Sequence, residues 1–111
     1  MHSVQELASS TQAGETTPED HLKKAQKRAE ASVFLNAFVP SDDCVRLGKS
    51  TGLLAGVPVS IKDNLLLEGS LCTCGSAILS GYRAPYTAHA VTRLLEQGAT
   101  LIGRTNMDEF A

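Results

Sequence analysis

The chain has 111 residues, 42% of them apolar, and carries ten Lys and Arg against twelve Asp and Glu, a net charge of −2. That suffices for one modest domain with a real core and not for two. No basic block beyond "KKAQKR" supports direct binding to nucleic acid.

The start, "MHSVQELASS", lacks the basic opening and apolar run of a secretory signal, and no stretch approaches the roughly eighteen apolar residues of a membrane span. The expected compartment is the cytoplasm, or the interior of a mitochondrion or chloroplast. Cys44, Cys72 and Cys74 form an odd set without a signal peptide, so reduced thiols are expected rather than a disulfide.

In chain order, Ser3 with Glu6 and Thr17 with Asp20 each place a hydroxyl three residues ahead of a carboxylate, the pattern of a capping box. They predict helices over 4–13, ending at Gly14, and over 18–31, with Pro18 at the first helical position. In the second helix Leu22, Ala25 and Ala29 form the inward stripe, while Lys23, Lys24, Lys27 and Arg28 form a solvated face. His2, His21 and His89 are expected on helix surfaces.

"NAFVP" (36–40) reads as a short strand stopped by proline, and "SDDCVRL" as a turn of helix begun at Ser41. "GKSTG" carries the last letters of a phosphate-binding loop, but the glycine required before Gly48 is Asp43 and no strand feeds the loop. A nucleotide P-loop is excluded. Residues 57–61 are β-branched and apolar, which predicts a strand covered on both sides. Residues 87–97 read as a helix with Ala88, Val91, Leu94 and Leu95 inward and Gly98 beyond its end, and 99–103 as the next buried strand. This order predicts parallel pairing through a right-handed crossover.

Thr105, three residues before Asp108, reads as the N-cap of a further helix over 106–110. Met107 and Phe110 would anchor that helix in the core, in preference to its first amides facing a site. Because it begins and is not completed, the chain is expected to be the N-terminal piece of a longer protein.

Lys62 follows Ile61 at the end of the first predicted strand. Two readings stand open. Its amine snorkels to water, or it is desolvated at a sheet end, where α/β proteins bind ligands, and serves as a neutral base or Schiff-base amine. The residues after it, "SLCTCGSAILSG", are rich in small hydroxyl and thiol groups and suit either a site wall or a tight turn packed against a helix. Asp63 faces away from Lys62 on a strand, which favours a structural hydrogen bond over direct orientation of the amine; Asn64 is a turn residue. A metal site would join Cys72 and Cys74 to Cys44 or His89, but a lone Cys-x-Cys without a second pair does not have zinc spacing, and no metal is expected. Nor is a histidine linked in sequence to Cys74 to activate it as a nucleophile.

"GLLAGVPVSIKDN", "TCGSAIL" and "TAHAVTRLLEQGATLIGRTNMDEFA", in that order, resemble the N-terminal part of the amidase signature family, most strongly over 52–111. The ending "GRTNMDEFA" resembles the tRNA-dependent amidotransferase branch more than the general amidases. The resemblance implies an α/β fold with a mixed sheet covered by helices on both faces. Residues 1–50 would form a helical N-terminal region and 51–111 the start of the catalytic core, so the fold is incomplete in this chain.

It further implies a Ser–cis-Ser–Lys triad with Lys62 as the base. The family's two serines lie in a Gly-Gly-Ser-Ser-Gly-Gly-Ser segment and a second glycine-serine turn; neither occurs here, and Ser76 and Ser80 match other positions. Asp63, Thr73, Cys74, Gly75 and Ser76 would border the active site. For the complete protein the implied activity is glutamine amide hydrolysis, with ammonia passed to the B and C subunits of a heterotrimeric ligase. That complex converts Glu-tRNA(Gln) to Gln-tRNA(Gln), or acts on Asp-tRNA(Asn) where it is dual-specific. ATP and magnesium would be used by the complex, nucleotide and tRNA being held mainly by the B subunit, with no cofactor bound by this chain. Alone, the chain is expected to be inactive and to fold partially or self-associate through unpaired sheet edges. The alternatives are a non-catalytic partner-binding module and a piece of a free-standing amidase acting on small amides.

Overall fold

A computed structural model describes residues 2–41 and 43–111. Helix α1 (Val4–Gln12) opens as its capping box dictates: Ser3 Oγ accepts the Glu6 N–H at 3.2 Å, and Glu6 Oε2 accepts the Ser3 N–H at 2.7 Å. Helix α2 (Pro18–Ala31) repeats the arrangement with Thr17 and Asp20. Leu22, Ala25 and Ala29 are half-buried as its inward stripe. His21 corrects the expectation of a surface residue. It is 4% exposed, with Nε2 lying 2.9 Å from Thr11 Oγ1 and 3.0 Å from Thr16 Oγ1. Two hydroxyls satisfy the nitrogen, and that permits its burial between the helices. His2 and His89 are exposed.

A 3-10 turn (Val33–Leu35) follows, and Asn36 takes a left-handed conformation with φ 51°. The predicted strand over 36–40 reduces to one antiparallel bridge between Phe38 and Thr105, flanked by Val39 N–H to Arg104 O and Asn106 N–H to Ala37 O, both 2.9 Å. The helical turn predicted from Ser41 includes Asp42, which lies outside the described residues. Asp43 and Cys44 form a turn rather than a helix. The Ser41 hydroxyl donates to Asp43 Oδ1 at 2.7 Å instead of capping, and the Asp43 carboxylate accepts the N–H of distant Leu71.

Strands β1 (Pro58–Lys62) and β2 (Thr100–Thr105) pair in parallel, as the order of elements predicts. The register slips between Val59 and Ser60, leaving Ile102 as an extra residue on β2. Leu101 and Arg104, paired with Val59 and Ile61, therefore share one face although they are three residues apart. β2 runs further than predicted because Arg104 and Thr105 continue the ladder.

The expectation that the first strand is covered on both sides fails. Ile61 is buried, whereas Ser60 and Lys62 are exposed, because the alternate positions on the outer side are Pro58, Ser60 and Lys62. Helix α3 (His89–Glu96) starts later than predicted: Ala88 stays extended, and the Thr87 hydroxyl accepts the N–H of Glu68 rather than capping the helix. Val91 joins Cys44, Ile61, Leu67 and Leu101 in the core, with Val59, Leu65, Ala88 and Leu95 packed around them. Helix α2 covers the opposite face, where Ala25 shares a groove with Pro58 and Ala29 one with Ile102. The parallel pair thus has α3 over its core face and α2 over only part of the other, where Ser60 and Lys62 stay exposed.

The helix predicted over 106–110 is absent. Thr105 is the last residue of β2 rather than a cap, and its carbonyl accepts the Asp63 N–H. Met107 is half-buried, and Phe110 is exposed rather than a core anchor.

Candidate active site

Lys62 ends β1 at the carboxyl edge of the parallel pair, next to Thr105 of β2. Its side chain is exposed, and among the described residues no carboxylate oxygen lies within 4.0 Å of its amine. The desolvation that a base or Schiff-base amine needs is not supplied by these residues. Asp63 points the other way and is 1% exposed.

Around Asp63 the chain builds a dense polar cluster. Its carboxylate accepts the Thr73 hydroxyl and, at 3.4 Å, the Thr73 N–H, and lies 3.7 Å from Arg104 Nη1. Its carbonyl accepts the Cys74 N–H at 2.9 Å and the Cys72 thiol at 3.3 Å. Arg104 is equally buried. Its Nη1 donates to Leu65 O at 2.8 Å and its Nη2 to Ser70 Oγ at 2.6 Å, while Nε has no partner among the described residues. An ion pair out of water is tolerable only when hydrogen bonds take up its remaining capacity, and here backbone and hydroxyl groups supply them.

The rest of the loop is fixed from the C-terminal side. Gly75 has φ +68°, and a Cβ there would fall 2.7 Å from Met107 O, so both conformation and space demand glycine. Cys74, at φ 51°, gives its carbonyl to the Phe110 N–H at 2.9 Å. Ser76 donates to Glu109 Oε1 at 2.6 Å and accepts the Ile78 N–H, so its hydroxyl is fully engaged in structure. All three cysteines are free, and burial pushes the thiols of Cys44 and Cys72 above the usual thiol range, against a smaller opposing pull from Arg104. Among the described residues no group of three or more His, Cys, Asp and Glu side chains could hold a metal.

Of the residues singled out from sequence, Asp63 meets Thr73 and Cys74 directly, Gly75 and Ser76 lock onto 107–109, and Lys62 stands apart on the other face. Arg104, Ser70 and Glu109 were missed. The signal for Arg104 was present in "LIGRT": a cation follows the apolar run of the second buried strand much as Lys62 follows that of the first. A groove of about 730 Å³ between α1 and α2 lies beside Pro58, at the opposite end of β1 from Lys62.

A family profile described as Amidase matches residues 22–111. The A subunit of glutamyl-tRNA(Gln) amidotransferase from Deinococcus deserti is 47% identical over 95% of the chain, and the mitochondrial A subunit from Rattus norvegicus 39% identical over 97%. Among solved structures, the A subunit of the amidotransferase from Thermotoga maritima is 32% identical over 86% of the chain, with a TM-score of 0.58. A structure described as a vestigial protein complex revealing the origins of an s-triazine catabolic enzyme is 29% identical over 99%, with a TM-score of 0.85. The chain spans about a quarter of the length of these relatives: 24% and 23% of the two sequences, 24% and 27% of the two structures. With the profile matching most of its residues and A subunits this similar over nearly all of it, the chain belongs to the amidase family, the amidase signature enzymes.

Proposed function

We propose that the chain is part of the glutamine-hydrolysing A subunit of a tRNA-dependent amidotransferase, with Lys62 as the base of its Ser–cis-Ser–Lys triad. The supporting observation is Lys62 itself, ending a parallel strand at the sheet's carboxyl edge with no anionic partner among the described residues. Cover by the rest of the protein would desolvate the amine and favour the neutral base.

Both serines lie outside this chain. In the assembled site, neutral Lys62 Nζ takes the proton of the bridging serine, which takes that of the nucleophilic serine. The nucleophilic oxygen attacks the side-chain amide carbon of glutamine, and backbone N–H groups hold the oxyanion. Collapse breaks the C–N bond; the departing nitrogen regains the proton and leaves as ammonia. Water then hydrolyses the acyl-serine to glutamate. By this account the chain alone does not turn over amides.

Ammonia would pass to B and C subunits, where ATP and magnesium serve the activation of Glu-tRNA(Gln), or Asp-tRNA(Asn) in a dual-specific complex. The proposed setting is cytoplasmic, or the interior of a mitochondrion or chloroplast. Some relatives are named mitochondrial, and no helix among the described residues is long and apolar enough to cross a membrane.

A second reading, a free-standing amidase for small amides, draws support from backbone likeness. The TM-score to a solved structure described simply as an amidase, 28% identical, is 0.77, against 0.58 to the amidotransferase structure from Thermotoga maritima. Ammonia release by the full-length polypeptide, with and without its partner subunits, separates the two. The amidotransferase reading expects glutamine hydrolysis stimulated by the partners; partner-independent cleavage of small amides with no action on glutamine would overturn it.

A further inference from the structure

Lys62, the last residue of β1, and Asp63, the first of the turn after it, are joined by one peptide unit, and the first is exposed while the second is buried, so whatever fixes Asp63 also fixes the direction in which the strand end presents the amine. Asp63 is held through its N–H by Thr105 O at 3.1 Å, through its carbonyl by Cys74 and Cys72, and through its carboxylate by Thr73 and Arg104. Arg104 alone among these reaches three separate pieces of chain: Asp63 itself, the Leu65 carbonyl in the turn beyond it, and the Ser70 hydroxyl at the root of the 70–76 loop.

We propose that Arg104 is a positioning residue for Lys62, clamping the β1 exit turn and the 70–76 loop to β2 from the core side of the sheet. This inference rests on the proposed role of Lys62 as base. The physical case is the cost of the arrangement. Arg104 lies on the same face as Ile61 and Leu101, where an aliphatic side chain would fill the space without burying a cation, and even so its Nε is left without a partner among the described residues. What a guanidinium provides there is a rigid planar fork that ties several acceptors at fixed mutual angles, which neither an aliphatic chain nor a flexible ammonium can do.

The test uses the full-length enzyme with its partner subunits, comparing Arg104→Met, Arg104→Lys, Ser70→Ala and Lys62→Arg under steady-state glutamine hydrolysis. Displacement of a base by about an ångström is expected to lower kcat about a hundredfold in Arg104→Met, with KM changed less than about threefold. Arg104→Lys should recover part of that loss by keeping the charge opposite Asp63. Ser70→Ala removes one arm of the clamp and should lower kcat about fivefold, again with little change in KM. Should Arg104→Met fail to fold, Ser70→Ala decides alone.

Wild-type kcat in a folded Arg104→Met or in Ser70→Ala, or a loss confined to KM, would overturn the positioning role. Lys62→Arg keeps the two questions apart. If it is inactive while the Arg104 and Ser70 variants are normal, only the positioning inference falls; if it is itself near normal, the base assignment falls.

Discussion

His21 and Arg104 are both buried polar side chains, but His21 is buried neutral and Arg104 charged. Burial lowers the pKa of His21 below its ordinary value, with repulsion from Lys24 adding to the effect and Asp20 opposing it. The unfolded chain therefore binds a proton near pH 6.5 that the folded one refuses until lower pH, so stability rises with pH across that interval. The contribution is complete above about pH 6.5 and is lost as pH falls through the folded value. Urea midpoints of the full-length protein should fall between about pH 7 and pH 5, and His21→Gln should flatten that part of the profile. Equal slopes in the two proteins would show that the imidazole is not what titrates. Sequence reading put His21 on the surface because its partners, Thr11 on α1 and Thr16 in the turn before α2, meet it only when the two helices pack. Asp63 was legible as a structural hydrogen-bonding residue from alternation alone; its Arg104 partner is 41 positions away and was not.

The elements read most accurately are those specified by neighbouring residues. Both capping boxes are local, and α1 and α2 begin where their hydroxyl–carboxylate spacing says. Segments whose hydrogen bonds go to distant partners were misread: the strand over 36–40, the helix over 106–110, and the first turn of α3, whose Thr87 caps nothing in its own helix. The same distinction bears on stability. Thr17→Ala removes a local cap and should cost about 1 kcal/mol. Gly98 has φ +89°, and an added Cβ would sit 2.2 Å from Thr51 O, so Gly98→Ala must shift backbone between α3 and β2 as well as accept a strained conformation. It should cost roughly 3 kcal/mol, several times the cap. Denaturant unfolding of the two variants checks the order, and a smaller loss for Gly98→Ala would contradict the packing described here.

At the scale of the whole molecule, the sheet among the described residues has two strands, and Val33, Phe34 and Leu35 lie exposed in succession, Phe34 at 80%. Among the described residues no strand pairs with the outer edge of β1, and that edge and the exposed apolar run each favour association. Light scattering on the isolated chain is predicted to show self-association and thermal unfolding without a sharp transition; a monomer with a steep cooperative melt would contradict this. The family and the α/β core were legible because several segments match in order. The environment of Lys62 was not, since a side chain at a strand end takes its surroundings from whatever packs over that end. Substituting Lys62 in the full-length enzyme, assembled with its partners, and measuring glutamine hydrolysis tests the central claim most directly. A guanidinium stays protonated and cannot accept the serine proton, so Lys62→Arg is predicted to abolish turnover while glutamine binding persists. A near-normal rate in that variant would show that Lys62 is a surface amine and not the base.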